Sequence, residues 1–271
     1  MRPSCEIFLL LASGAAAAEP EPNLLTSRFN LAGGVFILDT DTTLRFDANG
    51  TDLGTEFNWE DKFGKGDITR FRLDAQWRFA ERHNLRAMWF GTERLATEAI
   101  DETIRWGDVT FPLGVAVSSR FAFDVYELAY DYALLRRPNY EVSGSFGVHY
   151  TELEADLQAE VTSPGQAGSV RIRDDVAVDA PLPVAGLRAT VNLGRSFWLD
   201  AGAQYFYLSI DKYTGRITDF RVALTWQPRR ALGFGIGYNR FAVDVDEEAD
   251  DDSGKLDWKY QGPILFYSAS F

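Results

Sequence analysis

Apolar and polar residues alternate with a period of two through most of the chain, the pattern of strands with one apolar and one polar face. In 69–79, Phe71, Leu73, Ala75, Trp77 and Phe79 alternate with Arg70, Arg72, Asp74, Gln76 and Arg78. In 140–150 the apolar set is Tyr140, Val142, Gly144, Phe146, Val148 and Tyr150. The same rhythm recurs at Ala185 to Leu193, Phe197 to Tyr207, Phe220 to Trp226 and Leu232 to Tyr238. It predicts ten strands, near 29–38, 68–79, 84–94, 120–134, 140–157, 182–193, 197–210, 217–226, 231–245 and 256–271, and no helix after residue 18.

The connections sort into two kinds that alternate. Those at 80–83, 136–139, 194–196 and 227–230 are short and carry turn formers or basic residues. Those at 39–67, 95–118, 159–181, 211–216 and 244–254 are long and acidic or glycine-rich. A barrel in an outer membrane sorts its connections this way, with short periplasmic turns, long external loops and an even strand number. Within 39–67 and 98–118 the pattern allows either extensions of the flanking strands or a small extra hairpin. The predicted fold is all-β: a closed antiparallel up-and-down transmembrane barrel.

Length supports this. Tyr140 to Tyr150 covers about 33 Å of strand, which projects to about 25 Å at a tilt near 40°, the height of the apolar band of such barrels. Phe197 and Tyr207 repeat the spacing. Stepping back by two from Phe271 gives Ala269, Tyr267 and Leu265 on one face, so Phe271 falls level with Phe79, Tyr140, Phe197 and Trp226. These five form the expected periplasmic aromatic girdle, and Tyr150 and Tyr207 mark the external one.

The longest apolar run, Ile7 to Ala18, follows Arg2 and ends in small residues, which predicts a secretory signal over 1–18. A short periplasmic segment over 19–28 and the barrel over 29–271 complete the division. Cys5 is the only cysteine, so a mature chain has no thiol for a disulfide, a zinc-cysteine site or thiol catalysis. Loss of Arg2 and Glu6 with the signal leaves the net charge at -13, a balance that argues against nucleic acid.

The sequence resembles uncharacterised outer-membrane β-barrel proteins of Gram-negative bacteria. The resemblance is carried by 36–64, 69–85, 180–191, 213–226, 232–246 and 260–271, most of the mature chain. It implies fold and location, and it transfers no catalytic residue. By likeness to outer-membrane barrels generally, a terminal Phe271 with apolar residues at alternate positions before it is also a signal for the barrel-insertion machinery.

If the polar face of each strand points inward, the lumen holds Arg70, Arg72, Arg78, Arg86, Arg188 and Arg221 with Asp74, Glu127, Asp131, Glu141, Asp200 and Asp219. A barrel of ten strands has little free bore, so these charges read as a hydrogen-bonded plug or as the lining of a narrow pore. Gly233, Gly235 and Gly237 leave room there for water, or for Trp198 and Phe266. Of the two histidines, His83 falls in a periplasmic turn. His149 falls inward near the external rim and is the one candidate catalytic base. The acidic run Asp246, Glu247, Glu248, Asp250, Asp251 and Asp252 lacks the spacing of a calcium loop and reads as a solvated loop, with divalent binding the sharper alternative. No cofactor is implied. The expected function is structural or surface-binding, as a monomer among outer-membrane lipids and lipopolysaccharide. A small-solute channel is the alternative, and a lipid- or peptide-hydrolysing enzyme the second.

Overall fold

The computed structural model describes residues 23–47, 54–64, 69–106, 109–162, 169–210, 213–247 and 254–271. The predicted signal over 1–18 and the first four residues of the segment that follows it, 19–22, lie outside them. Fourteen strands and one short helix occur among the described residues. β1 (Phe29–Ile37) and β2 (Asp39–Phe46) are two halves of one wall strand, broken at Leu38. β3 (Phe57–Asn58) and α1 (Trp59–Phe63) follow, then the wall strands β4 (Thr69–Ala80) and β5 (His83–Ala99). β6 (Ile104–Trp106) and β7 (Val109–Phe111) pair as a small hairpin. The remaining wall strands are β8 (Ala116–Arg137), β9 (Tyr140–Thr162), β10 (Ser169–Gly194), β11 (Phe197–Ile210), β12 (Tyr213–Arg229), β13 (Leu232–Glu247) and β14 (Gly254–Ser270).

Neighbours in the wall are neighbours in sequence and antiparallel, and β14 pairs back onto β1, with Asn30 opposite Ser270 and Phe36 opposite Ile264. Counting β1 and β2 as one, ten strands close the barrel, so no hydrogen-bonding edge faces lipid. The short connections shrink to turns at 81–82, 138–139, 195–196 and 230–231, all at one end.

Three expectations change. The segment 159–181 is mostly wall: β9 runs to Thr162, β10 starts at Ser169, and their register holds from Thr162↔Ser169 to Tyr140↔Val191. At about 3.3 Å per residue and 40° of tilt, the 23 residues of β9 rise about 58 Å, roughly 30 Å beyond the apolar band. The 98–118 region does both things allowed to it, lengthening β5 and β8 and adding the β6–β7 hairpin. The third change is α1, a single turn that strand periodicity does not show. Its Asn58 cap accepts from the Asp61 backbone N–H at 3.0 Å, and Trp59, Glu60 and Phe63 on it are buried.

The wall also inverts its faces part-way up. On β8, Tyr126, Leu128, Tyr132 and Leu134 are exposed on the outside while Glu127 and Asp131 are buried inside. Above them Phe121, Phe123 and Val125 occupy the same inward row as Glu127 and are fully buried. On β9, Phe146 and Val148 face outward, whereas Leu153, Ala155, Leu157 and Ala159 face inward. A strand in lipid hides its polar groups in the lumen, and one in water hides its apolar groups there. The switch therefore marks the outer membrane surface, at the level of the cross-strand partners Tyr126 and Tyr150. Below that level an apolar belt of Leu31, Phe71, Leu73, Phe146, Leu187, Phe220, Ile236 and Leu265 covers the outside. Phe79, Tyr140, Phe197, Trp226 and Phe271 are exposed at its periplasmic margin, and Tyr207 is exposed toward the opposite one. A lumen polar over its whole height is thus corrected: its external half is an apolar core.

Candidate functional site

The barrel interior is layered. At the periplasmic mouth the turn at 24–26 folds under the wall, with Leu25 buried. Asn30 Nδ2 donates to the Leu24 carbonyl at 3.3 Å and Arg136 Nη2 to that of Leu25 at 3.2 Å. Above it lies a cavity of about 100 Å³, lined in part by Arg86, Arg188, Asp200, Arg221 and Trp198. Room beside Gly235 is taken by the Phe266 ring, and Gly233 is crowded by Gln227 and Ser268.

The next layer contains most of the expected lumen charges, now joined. Arg78 makes a two-pronged pair with Glu141, both bonds 3.0 Å, and Arg136 approaches the same carboxylate at 3.6 Å. Arg86 bridges Glu127 at 2.9 Å and Asp131 at 3.3 Å. Arg188 spans Asp200 at 2.9 Å and Asp131 at 3.4 Å, and also donates to Gln76. Asp74 receives Arg221 at 2.6 Å and Arg72 at 3.1 Å, while Arg72 reaches across to Asn239 at 2.8 Å. Charges taken from water are tolerable in such a place only when paired and hydrogen-bonded in this way. Arg70 stands apart from this layer, higher on β4, where it bonds Thr92 and the Glu93 carbonyl.

At the top of the polar layer Glu127 and His149 are cross-strand partners on β8 and β9, and Gln204 and Asp219 are partners on β11 and β12. His149 is 0% exposed. Its Nε2 lies 3.0 Å from Gln204 Oε1, and Gln204 Nε2 donates to Glu127 at 2.8 Å. The Phe241 ring lies against the imidazole at a tilt of 34°, with centroids 5.3 Å apart. The expectation that His149 sits near the external rim is corrected: β9 continues well above it, to Thr162, because the wall outruns the membrane, and the interior there is filled. His83 is on the outside of the wall near the periplasmic girdle, with Nδ1 2.6 Å from the Tyr130 hydroxyl.

The filling is aromatic. Phe36, Phe90, Phe123, Phe241, Trp258 and Tyr260 pack edge-to-face and stacked, with centroids 4.5 Å apart for Phe123–Trp258 and 4.9 Å for Phe241–Tyr260. Burying each such ring contributes about 1.5–3 kcal/mol. Phe121 links this layer to Trp59 of α1, 5.1 Å away, and Phe57, Phe63 and Trp106 complete the cap. The cap is latched by Glu60, which accepts from Arg94 Nη1 at 2.6 Å and from the Thr42 backbone N–H at 2.7 Å. Lys62 reaches Asp101 at 2.5 Å and Glu102 at 2.8 Å, contacts that hold the Lys62 ammonium above and the Asp101 carboxyl below their ordinary pKa values. Outside, above the membrane, Arg120 pairs with Glu93 and Glu154, and Arg173 with Asp156.

These aromatics, together with Arg94 and Glu60, are the residues that sequence reasoning missed. The signal was the change in phase of the apolar positions, from Tyr126 and Leu128 to Phe121 and Phe123, or from Val148 and Tyr150 to Leu153 and Leu157. The side chains of Asp246 and Glu247, and all of Glu248, Asp250, Asp251 and Asp252, lie outside the described residues.

No protein-family model matches the sequence, and no curated protein matches it. The structure is similar to the outer membrane protease OmpT from Escherichia coli, with a TM-score of 0.56 at 12% identity, over 90% of this chain and 96% of that one. Slighter likenesses are to the Pseudomonas putida toluene transporter TodX, with a TM-score of 0.35 at 8% identity over 90% and 89% of the two chains. The attachment invasion locus protein Ail of Yersinia pestis gives 0.30 at 10% over 89% and 98%. The likeness to OmpT gives the chain the fold of a Gram-negative outer-membrane β-barrel, and its apolar belt with aromatic margins places it in that membrane.

Proposed function

We propose that this barrel serves a structural or surface-binding role with a closed lumen, not a conducting one, and without catalysis. The carrying observation is the aromatic layer of Phe36, Phe90, Phe123, Phe241, Trp258 and Tyr260, which lies across the interior directly above the polar network. An ion crossing it would lose its hydration to rings that offer no replacement. The partners are outer-membrane lipids and lipopolysaccharide around the wall, and the barrel-insertion machinery through β14. The apolar belt fits a monomer, and the charged outer wall above it, with Glu93, Arg120, Glu154, Asp156 and Arg173, is the surface offered to other molecules.

Planar-bilayer recording of refolded protein tests the reading. The expected result is silence, with conductance steps in the triple variant Phe90→Ala, Phe123→Ala, Trp258→Ala. Steady conductance by the unaltered protein would overturn it in favour of a small-solute channel.

A further inference from the structure

We propose that Glu127, His149 and Asp219 form a buried site for one divalent transition-metal ion, with Zn²⁺ as the representative ligand. A ring nitrogen of His149 and one carboxylate oxygen from each acid all lie within 4.8 Å of one another. Ligands on one tetrahedral zinc ion, each about 2.0–2.2 Å from it, stand roughly 3.3–3.6 Å apart, so side-chain shifts of about an ångström complete the site. One imidazole and two carboxylates suit zinc, iron or manganese better than calcium, which takes only oxygen.

Two further observations point to a cation. The first concerns the tautomer. Glu127 is paired with Arg86 and can only accept, so the Gln204 amide must turn its NH₂ to Glu127 and its oxygen to His149. The imidazole then carries its proton on Nε2, and Nδ1 keeps a lone pair. Nδ1 is buried and has no hydrogen-bond partner. A buried acceptor left unmade costs free energy, and a ligating histidine whose other nitrogen is held by an amide or carbonyl is the usual arrangement at metal centres.

The second observation concerns charge. In the layer around the cluster Arg72, Arg86, Arg188 and Arg221 face Asp74, Glu127, Asp131, Asp200 and Asp219, one carboxylate in excess. Among the described residues Asp219 is bonded to Asn239, at 2.5 Å, and to no arginine. The surplus negative charge thus stands beside the free Nδ1 histidine. A small cavity of about 30 Å³ touches Glu127, Gln204 and Asp219 and shares Arg86, Arg188, Asp200 and Arg221 with the larger periplasmic one. An ion reaching the site would come from the periplasmic side, since Phe241 and the aromatic layer cover it from above.

The test uses full-length protein refolded in detergent, freed of metal with a chelator and titrated with Zn²⁺ and with Co²⁺. One ion per barrel is expected, with a cobalt d–d absorption band. Asp219→Asn and His149→Ala should each weaken binding at least tenfold. Asn at 219 can still accept from Asn239, so this variant decides the matter if His149→Ala fails to fold. Neutralising Glu247, Glu248, Asp250, Asp251 and Asp252 together should leave that ion bound. Absence of the cobalt band, or equal affinity in Asp219→Asn, would overturn the proposal and leave a shared proton as the balancing charge. Bilayer silence and metal content are separate readouts, so failure here leaves the closed-barrel reading standing.

Discussion

Arg94 Nη1 donates to Glu60 Oε1 at 2.6 Å, joining the wall strand β5 to helix α1 inside the external half of the barrel. The same arginine bonds Thr40 at 3.1 Å, so one guanidinium spans the gap between β5 and β2 that α1 fills. Arg94→Ala would leave a buried carboxylate without its cation, a change that costs about 3–5 kcal/mol. The cost should fall on the cap alone, because the ten-strand wall closes without it. Amide exchange within 54–64 is expected to accelerate about a hundredfold or more while heat-modifiable migration persists. Unchanged protection of α1 would show that the aromatic contacts hold the cap unaided.

A second pair tests the periplasmic half. Arg78 and Glu141 are each buried and share two 3.0 Å bonds. Either single change, Arg78→Met or Glu141→Leu, should lower stability by about 3–5 kcal/mol in urea unfolding, and the double variant by less than the larger single loss. Additive losses would mean that Asn84 and Arg136, the other neighbours of Glu141, carry the carboxylate.

Gly262 faces the break between β1 and β2. Its φ is 157°, and a Cβ there would overlap the Ile37 carbonyl oxygen. Gly262→Ala should cost roughly 1–3 kcal/mol. Gly144→Ala is the control, since its Cβ would meet Leu134 at an ordinary 3.6 Å. Equal unfolding midpoints for the two would remove the steric explanation of the kink.

Phe29 and Phe271 exchange two backbone hydrogen bonds, 2.9 Å and 2.8 Å, at the periplasmic end of the seam. Removing Phe271 deletes both bonds and one aromatic of the girdle. Assembly, followed by the fraction of heat-modifiable protein in membranes, should fall further than after removal of several residues from 248–253. Normal insertion would count against a role for this end of β14.

The wall was legible because lipid and lumen impose opposite polarity on alternate residues, which is why Trp77 and Arg78, or Phe220 and Arg221, fall on their proper faces. The external half was misread for the same reason. Leu153, Leu157 and Phe123 keep the alternation but reverse its meaning once the strand leaves lipid, so 159–181 looked like loop and the lumen looked polar throughout. Helix α1 escaped because five residues give no helical period; only the Asn58 cap announces it. The grouping of Glu127 and Asp219 with His149 depends on barrel curvature that brings β12 opposite β8 and β9, and a one-dimensional pattern carries no such information.

The seam between β1 and β14 has a bearing on timing. Until β14 has been made, β1 has no partner on that side, and the other nine wall strands form a sheet with open edges that lipid will not accept. Strands cannot therefore enter the bilayer one at a time as they are synthesised. Insertion has to wait for the whole set, and the chain must be kept from collapsing or aggregating in the interval between synthesis and closure.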